Sequence, residues 1–321
     1  MSETTKRTAG RSFLFKLAES TGTQGISFLV GIVLARLLDP TDYAVLTLLT
    51  VFISLSRVFV QSGLNTALVQ RLQVDETDLS SVFYLSLGIA AGCYALLYVT
   101  APLIAAFYRR PALTAPSRGP APVLLPGALI SVQQAGIARQ MSFHTLMWAS
   151  IAANVLSGAA GIAMAAAGAG AWALIVQQLV NQVAVCIILL FTVPWRPLLL
   201  FSWNKVRGLF SFGWKLLVSS LIETLYNNLR TLVIGRVFDK PQLGYYNRGR
   251  QFPELVMNNV NGSIQSVMLP VLSGEQERRD RMKAMTRRAI MASSYLVFPM
   301  MAGLALVADP LIRLLLTDKW L

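Results

Sequence analysis

Residues 140–195 read QMSFHTLMWASIAANVLSGAAGIAMAAAGAGAWALIVQQLVNQVAVCIILLFTVPW, a stretch with no Asp, Glu, Lys or Arg. A bilayer core takes about 20 apolar residues per helix, so this stretch holds two spans, divided at Gly168, Ala169 and Gly170. Residues 79–108 are equally free of charge and supply a third span. The same character runs through the whole chain. Hydrophobic residues make up 55% of it and charged residues 13%, with a mean hydropathy of +0.56, where soluble domains carry roughly a quarter charged residues. A soluble fold is excluded. Cys93 and Cys186 both lie in apolar stretches, which argues against a disulfide framework or a thiolate metal site. The N-terminus reads as a short basic tail, because no small-residue cleavage site follows a brief apolar core.

Apolar runs broken by Gly, Pro and charge clusters predict nine helices, over 13–37, 43–69, 79–107, 121–138, 145–167, 170–193, 209–237, 243–271 and 289–316. Lys16 and Arg36 stand about 30 Å apart along the first of them at 1.5 Å per residue. Several spans are too polar to face lipid alone. The first carries Thr21, Thr23 and Gln24, the second Arg57, Gln61 and Asn65, and the eighth Asn258, Asn259, Asn261 and Gln265. Basic clusters precede the first span (Lys6, Arg7, Arg11, Lys16), separate the sixth from the seventh (Arg196, Lys205, Arg207, Lys215) and separate the eighth from the ninth (Arg278 to Arg288). Alternating spans put all three on one side, which the positive-inside rule makes cytoplasmic, so the N-terminus is expected in the cytoplasm. Arg109, Arg110 and Arg118 break the pattern on the other side. The net charge of +13 is thus a topology signal plus attraction to anionic membrane lipids, and no nucleic-acid partner is expected, since no basic and aromatic recognition module accompanies it.

Two segments echo each other at an offset of 199: Ser12, Phe13, Phe15, Lys16 and Leu17 in SFLFKL recur as Ser211, Phe212, Trp214, Lys215 and Leu216 in SFGWKL. The echo continues in VLARLLD with Arg36 and Asp39, and in VIGRVFD with Arg236 and Asp239. A period this long points to duplicated lobes rather than to small stacked repeats, and duplicated membrane lobes point to a transporter. The expected fold is an all-α polytopic membrane protein of about nine transmembrane helices. Residues 1–200 form a six-span N-terminal lobe, and residues 201–321 form the first three spans of a second homologous lobe, C-terminally incomplete and so expected to be a truncated form.

With these features in place, the chain resembles the polysaccharide flippases of the multidrug/oligosaccharidyl-lipid/polysaccharide exporter superfamily, which include O-antigen, teichuronic acid and colanic acid exporters. The carrying segments are LARLLDPTDYAVL from Leu34, QSGLNTALVQR from Gln61, SVQQAGIARQMSF from Ser131, IETLYNNLRTLVIGR from Ile222, LGYYNRGRQFPE from Leu243 and SIQSVMLPVLS from Ser263. Each is weak alone; six in order are specific. The resemblance implies two six-span lobes around a central cavity in the bacterial cytoplasmic (inner) membrane. It implies transfer of undecaprenyl-diphosphate-linked oligosaccharide from the cytoplasmic to the outer leaflet, with the polymerase and glycosyltransferases of the same pathway as partners. One stretch departs from the family pattern. RRPALTAPSRGPAPVLLPGA, with Pro111, Pro116, Pro120, Pro122 and Pro126, stands where the fourth helix should begin, and proline inside a helix costs about 3 kcal/mol. An irregular start to that helix is expected, from a shifted reading frame or a native extended loop.

A lipid diphosphate crossing a low-dielectric slab must meet cations, and an Arg at a helix centre costs about 2.5 to 3.5 kcal/mol unless it faces a bundle interior or water. Arg57, Arg230, Arg248 and Arg250 are therefore the candidate diphosphate ligands, the planar guanidinium suiting bidentate contact with phosphate. Gln24, Gln61, Asn65, Asn227 and Asn228 are candidates for sugar hydroxyls, although interhelical packing accounts for such amides equally well. Glu223, the one acid at mid-span in this reading, is either a counter-ion or a group coupling transport to sodium ions or protons. Arg36 and Arg236, beside Asp39 and Asp239, are expected to pin helix ends. No cofactor or resident metal is expected, and no enzymatic role: His144 is the single histidine, and neither H-E-x-x-H nor a phosphate loop occurs. Two alternatives stay open, a multidrug exporter of the same superfamily and a multispan polysaccharide polymerase or ligase. The excess of intramembrane arginines over acids favours an anionic cargo over the first, and short outer loops disfavour the second.

Overall fold

In hydrocarbon a backbone can satisfy its N–H and C=O groups only within itself, and among the described residues this chain does so with helices alone. The structure is a computed structural model. It describes the backbone of residues 3–61, 64, 68, 74–108, 119, 121–140, 143–274 and 279–320; side chains are described from residue 19 onward, except at 138–140, 143, 211–212, 240, 258–259, 261–274, 279 and 281–282. The helices are α1 Glu3–Leu37, α2 Pro40–Gln61, α3 Glu76–Phe107, α4 Leu124–Gln140 after a 3-10 turn at Ala121–Val123, α5 Phe143–Ala166, α6 Ala171–Thr192, α7 Trp203–Val237, α8 Lys240–Gly274, α9 Arg279–Leu306 and α10 Ala308–Leu315. A final 3-10 turn covers Asp318–Trp320. Among the described residues, five helices are both long and apolar enough to cross a membrane: α2, α3, α5 from His144, α6, and α9 from Lys283.

Three differences from the sequence reading have local causes. The expected ninth helix, 289–316, breaks at Val307, because Pro310 has no N–H and its ring clashes with the carbonyl of Leu306 four residues back. The fourth helix forms despite its prolines. Pro126 takes the third position of α4, where an N–H has no intrahelical partner to lose; Pro111, Pro116 and Pro120, with Arg109, Arg110 and Arg118, lie outside the described residues. The first helix begins at Glu3 rather than 13, which moves Glu19 from the helix start to its middle.

The internal echo has a direct structural counterpart. α1 and α7 are each 35 residues long and start at 3 and 203, and the next helices start at 40 and 240. The chain divides into two compact units, Met1–Leu243 and Gly244–Leu321.

In the first unit α5 and α6 form a hairpin whose turn depends on two glycines with positive φ, Gly168 at +78° and Gly170 at +55°. α1 lies along α5, close enough that a Cβ at Gly158 would come to 2.6 Å from Val30 Cγ2. α7 lies against α2, where Gly235 faces Leu48 and the Asn228 amide donates to Ser54 Oγ at 3.3 Å. At the start of α3 the backbone N–H of the N-cap residue Asp75 donates to Asp78 Oδ2, and Lys205 from α7 reaches Asp75 at 2.9 Å and Asp78 at 3.7 Å. The segment between α6 and α7 is tied to the same place, with the N–H groups of Leu198 and Ser202 donating to the hydroxyls of Ser80 and Ser81. In the second unit Tyr245 meets Trp320 edge to face, and Arg313 pairs with Asp318.

The α1–α5 contact makes a prediction. Gly158→Leu overpacks against Val30 and should destabilise the protein by about 1 to 3 kcal/mol, whereas Gly88→Leu, whose Cβ would meet nothing within 4 Å, should leave stability unchanged or raise it. Thermal unfolding of both variants in detergent micelles, read from tryptophan fluorescence, tests this; equal melting temperatures would refute close α1–α5 packing.

Candidate functional site

Polar residues in apolar helices gather where their spacing puts them on one face. Ser54, Arg57 and Gln61 stand at i, i+3 and i+7 on α2, and Ser150, Asn154 and Ser157 at i, i+4 and i+7 on α5. These two faces turn toward each other, and α1, α4 and α6 close the space around them. The result is a pair of cavities, of about 310 and 370 Å³, that share Arg57, Asn154, Asn181 and Gln182 on their walls. The first also takes Glu19 and Thr23 from α1, Gln61 from α2, Ser131 and Gln134 from α4 and Ser150 from α5. The second extends along Thr50 and Ser54 of α2 and Gln177 and Gln178 of α6.

Depth follows from the helix bounds. Asn154 is central in α5, and Asn181 and Gln182 are central in α6, so the cavities lie about half-way along the two apolar helices that flank them. A ladder of hydrogen bonds holds the wall in place. Ser150 donates its hydroxyl to Glu19 Oε1 at 3.1 Å, Ser27 donates to Asn154 Oδ1 at 3.1 Å, and the Asn181 amide donates to Ser157 Oγ at 3.3 Å. Together these bonds tie α1 to α5 and α5 to α6. Arg57, by contrast, makes no ion pair with any described residue, and its side chain is accessible from the cavity. Among the described residues it is the one cation lining the two cavities, and Glu19 the one acid.

The remaining expected residues fall in three places. Gln24 donates to Ser20 Oγ at 3.2 Å, one turn back on its own helix. Asn65 lies outside the described residues, as do the side chains of Asn258, Asn259, Asn261 and Gln265. Glu223, Asn227 and Arg230 all project, exposed, from one face of α7, at i, i+4 and i+7. Asn228 points the other way, into the contact with Ser54 of α2 and back to the carbonyl of Thr224. In the second unit Arg248 is buried and donates to Gln251 Oε1 at 2.5 Å, and Arg250 pairs with Glu254 one turn along α8. Arg236 sits over the ring of Phe107, 5.6 Å from its centroid.

α7 therefore has three distinct faces. One is packed on the bundle through Asn228, Thr231 and Gly235. A second is exposed and apolar, with Ile222, Leu225, Leu229 and Val233. The third is exposed and polar. Sequence reasoning placed Arg57 and Gln61 but passed over Glu19, Gln134, Ser150, Asn154, Asn181 and Gln182; the readable signal was the three- and four-residue spacing of polar groups in helices of otherwise continuous apolar character.

The chain as a whole is similar to known proteins. A family model described as polysaccharide biosynthesis protein matches residues 33–321. The chain is 29% identical over 273 residues to the teichuronic acid biosynthesis protein TuaB of Bacillus subtilis, covering 83% of this chain and 56% of that protein. It is 24% identical to the succinoglycan biosynthesis transport protein ExoT of Rhizobium meliloti, covering 98% of this chain and 64% of that one. The chain thus spans under two thirds of the length of these relatives. Among solved structures, an inward-facing multidrug resistance transporter of the MATE family, in the MOP superfamily, superposes with a TM-score of 0.63 at 15% identity, covering 91% of this chain and 72% of that one. At that identity the likeness concerns fold alone.

The three-faced α7 yields the next prediction. With Cys93 and Cys186 replaced by serine, cysteines at Asn227 and Arg230 should react with a charged, membrane-impermeant thiol reagent about tenfold faster or more than cysteines at Leu225 and Leu229, since only the thiolate attacks and it forms only in water. Equal labelling rates across the four positions would show that the polar face does not meet water.

Proposed function

The chain belongs to the polysaccharide biosynthesis protein family, and from that premise we propose that it moves lipid-linked oligosaccharide units across the bacterial cytoplasmic membrane, from the inner to the outer leaflet. The observation that carries the reading is the cavity pair half-way along α5 and α6, where hydroxyls and amides stand among aliphatic residues such as Val60, Ile130 and Val185, and which holds Arg57 without a carboxylate in salt-bridge range among the described residues. An intramembrane Arg is costly unless it faces a bundle interior or water, and such residues mark substrate paths. A cation kept in that position is held for an anion that comes and goes. Permanent pairing, as between Arg250 and Glu254, would serve structure instead.

The cargo has three parts with different needs, and the first unit offers each a surface. The isoprenoid tail stays in hydrocarbon, for which the exposed Ile222, Leu225 and Leu229 of α7 are suited. The diphosphate needs cations, and Arg230 stands one sector away on the same helix. The sugar needs groups that both donate and accept hydrogen bonds, which the amides of Asn154, Asn181 and Gln182 provide. Transport proceeds by alternating access, the internally repeated lobes exposing the polar path first inward and then outward. Outward passage of an anion is assisted by the membrane potential, at about 2.3 kcal/mol per charge per 100 mV. The N-terminus lies in the cytoplasm, as the basic residues before α1, between α6 and α7 and around the start of α9 indicate. The pathway's polymerase and glycosyltransferases are the natural partners, and Glu19 or Glu223 would carry any proton or sodium coupling.

Complementation tests the reading. A strain lacking its own polysaccharide flippase should regain surface polysaccharide with the wild-type gene in its native length, lose about tenfold or more of it with Arg57→Ala or Arg230→Ala, and keep an intermediate level with Arg57→Lys, because lysine keeps the charge without the fork. Wild-type export by the Arg57→Ala variant at equal protein abundance would remove the basis of the proposal.

A further inference from the structure

At the start of α7, unanswered positive charge lies among exposed apolar side chains. We propose that residues 198–215 form a binding site for an anionic phospholipid of the leaflet beside this end of α7, with Arg207 as the partner of the headgroup phosphate. That leaflet is the cytoplasmic one in the topology proposed above. The site lies outside the two cavities and does not depend on what they carry.

Residues 193–202 are not helical, and such backbone does not occur exposed to lipid within the hydrocarbon, so the segment belongs at the membrane surface. It is firmly held there. Trp195 turns inward and meets Phe83 edge to face at 6.3 Å, Arg196 closes α6 by donating to the carbonyls of Val193 and Trp195, and the N–H groups of Leu198 and Ser202 are fixed by Ser80 and Ser81. Leu198, Leu199, Leu200 and Phe201 are left facing outward, Leu199 with 94% of its surface exposed. α7 continues the surface. Trp203, Arg207, Phe210 and Trp214 stand at i, i+4, i+7 and i+11, all exposed on one face, and the rings of Phe201 and Trp203 lie 6.3 Å apart. Arg207 therefore has an aromatic ring one turn before it and another one turn after.

Depth sets the cation among headgroups. Lys205 pairs with Asp75 and Asp78 where α3 begins, Arg236 lies over Phe107 where α3 ends, and about 46 Å of α7 separates the two contacts at 1.5 Å per residue. A bilayer with its headgroup layers measures about 40 to 45 Å. Lys205 and Arg207 thus stand at phosphate depth, with Phe210 and Trp214 near the edge of the hydrocarbon, where aromatic residues gather. Val218 and Leu225 carry the same stripe onward as a lane for acyl chains. Charge then selects the headgroup. No Asp or Glu occurs in the sequence between Asp78 and Glu223. Lys205 is engaged by its two aspartates, whereas Arg207 and Lys215, both exposed, form no hydrogen bond or ion pair with a described residue. A zwitterionic lipid brings a further cation to two that are already unanswered; phosphatidylglycerol brings only the anion.

Fluorescence quenching in nanodiscs decides the matter. In the full chain with Cys93 and Cys186 replaced by serine, bimane is attached at Asn204→Cys, beside the stripe. The discs are phosphatidylcholine with a small fraction of either phosphatidylglycerol or phosphatidylcholine brominated near the headgroup. Brominated phosphatidylglycerol should reach half-quenching at a mole fraction roughly fivefold lower than brominated phosphatidylcholine, the factor expected of one basic residue at an anionic membrane surface. Arg207→Gln should cut that preference to within about twofold, Arg207→Lys should retain most of it, and Trp203→Ala should weaken quenching by both lipids alike. Bimane at Phe238→Cys, at the far end of α7, should show no preference. Equal quenching by the two lipids with Arg207 intact overturns the proposal whether or not any variant folds. An unchanged preference in Arg207→Gln overturns it as well, and so does an equal preference at Phe238→Cys, which would be a bulk effect of charge. Displacement of the brominated lipid by millimolar pyrophosphate overturns it in favour of a soluble-anion site. Displacement by undecaprenyl diphosphate at about one tenth of the mole fraction of phosphatidylglycerol, tenfold being roughly 1.4 kcal/mol of preference, overturns it in favour of an entry point for transported lipid.

Discussion

Hydrocarbon contains no water, so a polar side chain inside a membrane bundle has to be answered by another polar group or by an enclosed aqueous space. That constraint organises the first unit. Where answers exist they hold helices together: Ser27 of α1 donates to Asn154 of α5, Ser150 of α5 donates to Glu19 of α1, and Asn181 of α6 donates to Ser157 of α5. Bonds of this kind between membrane helices are modest singly, but they fix α1, α5 and α6 relative to one another at the depth where the cavities lie. What they leave over is informative. Arg57 and Gln182 make no hydrogen bond to a described residue and both border the cavities. Close contacts at glycine supply the rest of the packing, as where Gly158 admits Val30 and Gly235 admits Leu48.

α7 shows the same constraint acting on one helix. Its packed face satisfies Asn228 through Ser54, its apolar face needs nothing, and its polar face presents Glu223, Asn227 and Arg230 outward. An exposed Glu and Arg seven residues apart on a membrane helix are tolerable only where water reaches them. On the proposed reading, this single helix would carry a boundary between lipid and an aqueous path on its own surface. Arg236 near its end is a different case, since its guanidinium lies over the ring of Phe107.

Much of the fold was legible because membrane helices announce themselves by continuous apolar runs: each of the nine expected helices has a counterpart, although the first and the ninth start ten residues early, the ninth is broken at Val307, and the second is described as a continuous helix only to Gln61. The errors were local. Pro310 was absorbed into a long apolar run although its ring has to break the helix, while Pro122 and Pro126 were weighed as interior prolines although they fall in a 3-10 turn and the first turn of α4, where proline costs little. For the site, charge was easier to read than amides. Arg57 stands out in an apolar helix, whereas Asn154, Asn181 and Gln182 look like packing residues until five helices are seen to turn them toward the same space. Glu19 was misjudged for a boundary reason: a helix starting at 13 puts it near the end, and one starting at Glu3 puts it at the centre.

The α5–α6 hairpin bears on how the chain enters its membrane. Its two helices carry no Asp, Glu, Lys or Arg, are joined by a turn of four small residues, and satisfy the Asn181 amide at Ser157 across their own interface. Alone, either helix would expose asparagine or glutamine to acyl chains during biogenesis; as a pair they bring much of their own polar shielding with them. The translocation machinery therefore has reason to release residues 143–192 together, as one pre-matched unit, onto which α1 can dock once synthesis has moved on.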